Sequence, residues 1–586
     1  MIAPLFVLVC CAPPVQDGRL TPLPAERASA LPDKLEGEMK NLDPKLEGWD
    51  TEAFNSAAGA QISALGKLLH DPAHVDTAAL APLLASDFSC GPLRPEELTQ
   101  VFASGVLRVL RGTPGSRSLV GAEGFARALR ELGGAYEAGA DVHLKSKIVS
   151  VDDHGAGRLA CNALIMMWGD SGPGVTQQTS DWTIEWDWSE SGKPPRMLSV
   201  CCTRYEESIT SGAILSDCSE AVLGANAAWK QHLLRGTDDW CRRIDLAAGM
   251  NQYAHNGLAI GDVDGDGLED LYLCQGGGLP NKLFLHQPDG TARDQSAEWG
   301  VDWLDETMAA LILDLDNDGT NELVLSTASG VLVMRRASGK PDFELARELP
   351  FPGGYSLAAA DVDGDTRLDL YVCRYATANL PNGLPTPYHD ANNGPSNALF
   401  RNKGELEFED VTAKLGLDHN NRRFSFAAEW ADYDDDGDLD LYVANDFGRN
   451  NLYRNENGRF RDVAGEAGVE DISAGMGVSF GDYDGDAKLD IYVSNMFSSA
   501  GQRIAYQRAF QPALDAAVRG QFQRHARGNS LFRNRGDGSF EDVTLESHVG
   551  MGRWAWGSQF VELDGDGRPD LFIPNGFITN EDNEDL

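Results

Sequence analysis

Short apolar runs alternate with acidic turns through the second half of this chain, and the alternation repeats. Six runs, Leu271-Tyr-Leu, Leu323-Val-Leu, Leu370-Tyr-Val, Leu441-Tyr-Val, Ile491-Tyr-Val and Leu571-Phe-Ile, have the aliphatic and aromatic composition of buried strands. Another apolar stretch precedes each acidic turn, as Met476-Gly-Val-Ser-Phe480 does. After most turns a second pair of segments recurs, at 397–402 with 408–412, 451–455 with 460–463, and 529–534 with 540–544. The predicted unit is strand, acidic loop, strand, strand, turn, strand. A four-stranded unit recurring at this spacing predicts the blades of a β-propeller.

The acidic loops share one design, with carboxylates at positions 1, 3, 5 and 9. They are Asp262, Asp264, Asp266 and Asp270; Asp314, Asp316, Asp318 and Glu322; and Asp361, Asp363, Asp365 and Asp369. The rest are Asp432, Asp434, Asp436 and Asp440; Asp482, Asp484, Asp486 and Asp490; and Glu562, Asp564, Asp566 and Asp570. Four hard oxygen donors around one point, completed by a main-chain carbonyl at position 7, suit calcium better than the stricter octahedron of magnesium. Up to six structural Ca²⁺ ions are expected. An EF-hand is excluded, because strands rather than helices flank the loops. Position 4 is always Gly, Asn or Asp, residues that tolerate positive φ. Position 6 is Gly in four loops, but Thr366 and Ala487 carry a Cβ there, so the third and fifth loops are expected to be strained or weaker.

Successive loops begin 52, 47, 71, 50 and 80 residues apart, a period near 50 with two insertions. Residues 232–245 read as a degenerate outer strand pair that would complete a last blade from the other end. Six blades are expected, with seven as the alternative count. The loops, the Phe480-Gly481 before one of them and the Asn-x-Leu-Phe/Tyr-x-Asn hairpins resemble FG-GAP/VCBS repeats over about residues 226–586. Such repeats build the calcium-binding propellers of integrin α-subunits and of bacterial relatives of cartilage acidic protein. The resemblance implies extracellular binding or cell adhesion rather than a fixed chemistry, since fold alone does not specify function.

Charge agrees with that setting. The net charge is −41, which argues against nucleic acid as a partner. Residues 1–46 read as an export signal followed by a Pro-rich tether, although no Lys or Arg precedes the apolar run 2–11. Leu8-Val9-Cys10-Cys11 resembles a lipobox, which would make a lipid on Cys11 the one link to a membrane and place the protein at the cell surface, in the periplasm or outside the cell. No zinc or haem pattern joins the ten cysteines, and a Cys218–Cys241 disulfide fits an oxidising compartment. Cys274 and Cys373 read as buried thiols.

Residues 47–215 form a different, α+β domain ahead of the propeller at 216–586. Helices are predicted over 52–69, 95–110 and 123–132, and strands over 141–151, 158–168, 177–188 and 195–205. Trp182, Ile184, Trp186 and Trp188 alternate with polar residues, the pattern of a strand with one face buried. In element order this resembles an NTF2-like cone. The tryptophan row reads first as core, and alternatively as a pocket lining.

The two insertions, 374–396 and 498–528, follow second strands and so lie on the face opposite the acidic loops. The second carries Arg503, Tyr506, Arg508, Arg519, Arg524, His525 and Arg527 against one acid, Asp515. Arg503, Tyr506, Arg508, Arg524, His525 and Arg527, with His389, and with Asn445, Asn495 and Asn575 at matching strand ends, are the candidate ligand-binding residues, because long loops on a rigid scaffold commonly carry binding. The positive charge suggests an acidic polysaccharide or an acidic protein patch as ligand. The competing reading docks the basic segment onto the protein's own acids. The leading function is an exported calcium-binding propeller that recognises extracellular polysaccharide or protein. The alternative is a calcium-dependent enzyme cleaving polysaccharide or phosphoester, with His389, Asp390 or His525 moving protons.

Overall fold

The computed structural model describes residues 50–575 apart from 117, 138, 173, 191–192, 245–255, 337–341, 376–384 and 508. The N-terminal leader and tether expectations fall outside the described residues. Two compact units emerge. One ends at Ser216 and also takes in Ser499–Pro512; the other comprises Asp217–Ser498 and the chain from Ala513 onward.

In the first unit, helices Asp50–Leu68 and Gly121–Gly133 cover an eight-stranded sheet. Its long strands are β5 (His143–Gly155), β6 (Arg158–Ser171), β7 (Gly174–Asp187) and β8 (Arg196–Thr210), paired antiparallel in that order. Trp182, Ile184 and Trp186 project inward from β7 and are fully buried against Phe54, Ile62 and Leu65 of the first helix. The tryptophan row is core. The helix expected over 95–110 is instead a hairpin of β2 (Thr99–Ser104) and β3 (Leu107–Gly112). Val101, Val106 and Val109 favour extended backbone, and Gly105, at φ 49°, supplies the turn that a helix would not need.

A helix inserted late in the chain completes this unit. Ser499–Ala505 brings Arg503 onto Glu52, with Nε to Oε1 at 2.9 Å and Nη2 to Oε2 at 2.7 Å, while Nη1 donates to the Ile148 carbonyl at 2.6 Å. Arg503 is 6 % exposed. Each guanidinium nitrogen of this buried bidentate pair thus has an acceptor, and neither charge tolerates loss of the other.

The second unit contains five four-stranded antiparallel sheets and one two-stranded sheet. Their first and second strands are β9 (Leu258–Gly261) and β10 (Asp270–Leu273), β13 (Thr307–Leu313) and β14 (Glu322–Thr327), and β17 (Gly354–Ala360) and β18 (Asp369–Arg374). They continue as β21 (Phe424–Ala431) and β22 (Asp440–Phe447), β25 (Gly475–Gly481) and β26 (Asp490–Asn495), and β29 (Gln559–Val561) and β30 (Asp570–Phe572). Each first strand packs on the first strand of the next sheet. Glycine permits the close approach: a Cβ on Gly481 would lie 2.5 Å from the Phe560 ring, and one on Gly261 2.6 Å from Ile312. Met308, Tyr355, Phe426 and Met476, one from each of four successive first strands, join Tyr375, Met496 and Trp556 in a shared apolar cluster. The Phe426 ring lies 4.4 Å from Tyr355 and 5.9 Å from Trp556.

Two expectations near the junction are corrected. Residues 232–245 do not supply an outer strand pair in their described part. The chain there is helical, at Ser219–Leu223, Trp229–Leu233 and Thr237–Cys241, because Leu223, Ala228, Trp229 and Leu233 place apolar groups at helical spacing against Phe284 and Ala292. No disulfide joins Cys218 to Cys241, while Cys274 and Cys373 are buried and pushed up to about 12 by that burial.

Arg503→Ala leaves Glu52 buried without its counter-charge and is expected to destabilise the first unit by ~3–5 kcal/mol. Urea melts followed by tryptophan fluorescence, with Trp182 and Trp186 in that unit's core, check it as an earlier unfolding midpoint.

Candidate metal centres

Strand register creates the acidic loops. In every sheet the last residue before loop position 1 pairs with the acid at position 9: Gly261 with Asp270, Leu313 with Glu322, Ala360 with Asp369, Ala431 with Asp440, Gly481 with Asp490 and Val561 with Asp570. Closing the ladder there forces the eight intervening residues into one curl. The position 1 acid then captures the loop's own amides. Asp262 accepts from Gly265 at 2.7 Å and Gly267 at 2.9 Å, and Asp482 accepts from Gly485 and Ala487, each at 2.8 Å. Carboxylate oxygens within 4.8 Å of one another result, from positions 1, 3 and 9 in the first, second, fourth and fifth loops.

The position 9 acid is the keystone. Asp440 is fully buried; its Oδ2 accepts the Tyr433 amide within the loop at 3.3 Å, and its Oδ1 accepts the Asn455 amide of the third strand at 2.7 Å. Asp490 does the same with Tyr483 and Asn534, and Asp369 with Val362 and Asn402. Those asparagines then join the sheets. The Asn402 side chain donates to the Leu315 carbonyl of the preceding sheet's loop at 2.8 Å, Asn455 to Val362 at 3.3 Å, and Asn534 to Tyr433 at 2.8 Å. The acidic loops are therefore part of the contact between neighbouring sheets.

Burial pushes the position 9 carboxyls up, and the other loop acids push further. Glu322 and Asp440 reach about 7, and Asp369 and Asp490 about 6. Asp264, Asp316 and Asp434 are also raised, by burial first and then by the position 5 acid. Asp434 Oδ1 is buried with no hydrogen-bond partner among the described residues. Clustered oxygens, mutual repulsion and an orphaned buried acceptor fit a bound cation. The strain expected at position 6 is present, with Thr366 at φ 70° and Ala487 at φ 66°. In the third loop, Arg367 pairs with Asp365 and Arg401 with Asp363; in the fifth, Lys488 pairs with Asp486.

The opposite ends of the second strands have other chemistry. Arg524 pairs with Asp471 and Asp542, each at 3.0 Å, and Arg527 with Asp542 at 2.8 Å. Burial opposes the Asp542 charge, but Arg527 and Arg524 hold its carboxyl down at about 2. Arg503 is the buried partner of Glu52, Tyr506 is exposed, and Arg508 lies outside the described residues. Asn445 and Asn495 are fully buried and hold backbone: Asn445 donates to the Arg449 carbonyl at 2.6 Å and Asn495 to that of Gly528 at 3.0 Å. Asn575 forms a bridge with Ala555.

His389 and His525 do come together, through Phe522 of helix Ala516–His525. The Phe522 ring lies 5.0 Å from His389 and stacks at 6.5 Å on Tyr388, which is 5.3 Å from His525. Burial pushes His525 down to about 4, so it is neutral near pH 7. Asp390 is held by Arg423 and Arg449. Sequence reasoning missed Asp446, whose buried carboxyl accepts from the Tyr375 hydroxyl and is pushed up to about 7 by burial. An acid one residue beyond the run Leu441-Tyr-Val-Ala-Asn445 was its signal.

Four stretches, 262–325, 314–372, 432–493 and 514–573, match the family model described as FG-GAP-like repeat. The repeats are FG-GAP-like. The chain is also similar to cartilage acidic protein 1 of Mus musculus, 26% identical over 218 residues, which is 35% of this chain and 31% of that protein. It thus spans about a third of that relative's length. Among solved structures, it is similar to an Agrocybe aegerita lectin recognising non-reducing terminal N-acetylglucosamine (18% identity, 53% of this chain and 72% of that one, TM-score 0.33). The V. cholerae biofilm matrix protein Bap1 is another (14% identity, 50% and 39%, TM-score 0.27). A chain named Rd1NTF2_04 with long sheet matches 24% of this chain over 96% of its own length, at 10% identity and TM-score 0.16.

Two outcomes test these FG-GAP-like loops. Asn455→Ala leaves the Val362 and Leu439 carbonyls without that donor and is expected to cost about 1–3 kcal/mol, read as a lower Tm. In chelator, acids whose folded pKa is raised above an unfolded value of about 4 stabilise fully below that value and lose the effect as pH rises through 6 to 7. The Tm in chelator is therefore expected to be higher at pH 5 than at pH 8, with added cation raising it most at pH 8.

Proposed function

We propose that this protein is an exported, calcium-stabilised β-propeller of six blades that works by binding extracellular polysaccharide or protein. The observation that carries the reading is the repeated loop, whose acids converge on a cation site and whose position 9 acid and asparagine tie adjacent sheets together. Calcium follows from the donor set, which is all oxygen, mostly carboxylate and set in an adaptable curl. Partly exposed acidic loops of this kind fill readily where calcium is plentiful, as it is outside cells. The six-blade count rests on five four-stranded sheets, a sixth two-stranded one and the apolar cluster that successive first strands share. In the first unit, helices set against a long antiparallel sheet support an NTF2-like cone.

The binding surface is the insertion end of the second unit, centred on Tyr388, which is 51 % exposed and seated by Phe447, Phe522 and His525. Arg524 and Arg527 are already paired with Asp471 and Asp542, so aromatic faces rather than free positive charge present themselves there. Neutral sugar rings suit such a surface better than acidic chains do.

A panel of neutral and acidic polysaccharides immobilised in calcium tests this. Retention of the full chain, lost in chelator and weakened at least tenfold by Tyr388→Ala, is expected, with the polysaccharide length unchanged. Retention that ignores chelator and the Tyr388 change would contradict the reading, and shortened chains would make this an enzyme.

A further inference from the structure

We propose that the third acidic loop takes no divalent ion and is held instead by two of the protein's own arginines, Arg367 and Arg401. The inference rests on the calcium reading of the other loops and departs from it at this one. The Arg367 guanidinium pairs with Asp365; that of Arg401 pairs with Asp363 and lies 3.7 Å from Asp365. Two guanidinium groups bring the same charge as one Ca²⁺. They also supply directed donors, which bind carboxylates strongly at close range. Arg367 is further fixed by donating from Nε to the Asn402 carbonyl at 3.1 Å, the residue that joins this sheet to the one before it.

Two independent features set this loop apart. Its converging oxygens come from Asp361, Asp363 and Asp365, whereas the first, second, fourth and fifth loops use positions 1, 3 and 9. Asp369 lies outside that cluster and accepts the Val362 and Asn402 amides. In addition, position 6 is Thr366 at φ 70°, where a β-branched residue is strained.

The arginine arrangement is specific to this sheet. Arg454 and Arg533 occupy the matching third-strand position in the next two sheets, but they pair with Glu456 and Glu541, each at 2.5 Å. Glu409 stands opposite Arg401 as Glu541 stands opposite Arg533, yet Arg401 turns to the loop. The fifth loop differs again, because Lys488 reaches only Asp486 and the oxygens of positions 1, 3 and 9 still converge.

The test is a count of calcium ions bound per full-length chain, by native mass spectrometry with calorimetric titration. D434N in the fourth loop is expected to lose one ion relative to the wild type, whereas D363N in the third loses none. R367Q with R401Q is expected to gain one ion in calcium and to melt earlier than wild type in chelator, which reads the arginines' stabilising role directly. A D363N chain that loses an ion as D434N does overturns the proposal, as does a double variant that melts unchanged in chelator. If neither wild type nor variants take up calcium, the calcium reading itself fails and this inference with it.

Discussion

A buried carboxylate shared between two backbone amides is the interaction on which the second unit depends. In each complete sheet with that asparagine, the position 9 acid ends the first hairpin, closes the acidic loop through the amide at position 2, and grips the third strand through the asparagine amide. One side chain thereby fixes the loop and the sheet together. The cost is a carboxylate buried beside three others, and burial already pushes it toward the neutral form. A bound cation would relieve that repulsion. The same acid that builds the sheet therefore also belongs, in the fourth and fifth loops, to the oxygen cluster that could hold a metal ion.

From this junction the stabilisation spreads sideways. The asparagine side chain reaches the preceding sheet's loop, so a change in one loop is felt at the next. The first strands of successive sheets also pack on one another, through close glycine contacts at Gly261 and Gly481 at either end of the series and through the cluster around Tyr355 and Phe426 in its middle. Adjacent sheets are thus joined through first-strand packing and again through the acidic loops. The insertions leave from the other ends of the second strands, where aromatic rings and internal ion pairs dominate.

Much of this was legible in the sequence, because the repeat is local. Acid spacing, the apolar runs beside it and the position 6 exceptions all act within one hairpin, and Thr366 and Ala487 do sit at positive φ. Contacts between distant segments were not legible. The basic insertion reads equally as a ligand surface or as a segment docked on the protein's own acids; the second holds for Arg503 and Arg524, but their partners, Glu52 and Asp471, are ones that only the fold brings near. Residues 95–110 carry leucines and valines at spacings that fit helix or strand, and the turn at Gly105 decides for strand. The hairpin at 451–455 reads one residue short, since the asparagine equivalent to Asn397 and Asn529 is Asn450, which accepts the Asn445 amide at 2.8 Å. Two adjacent asparagines hid the register.

The account turns on the loops and the sheet contacts forming one cooperative element. Hydrogen exchange at the Asn402, Asn455 and Asn534 amides, followed with and without calcium, measures this most directly. If calcium completes the loops, the Asn455 and Asn534 amides are expected to lose protection together when it is removed, while the Asn402 amide, held by the acid of the arginine-clamped third loop, loses much less. Unchanged protection at Asn455 and Asn534 after complete removal of bound calcium would contradict the claim that the ion sites support the contacts between sheets.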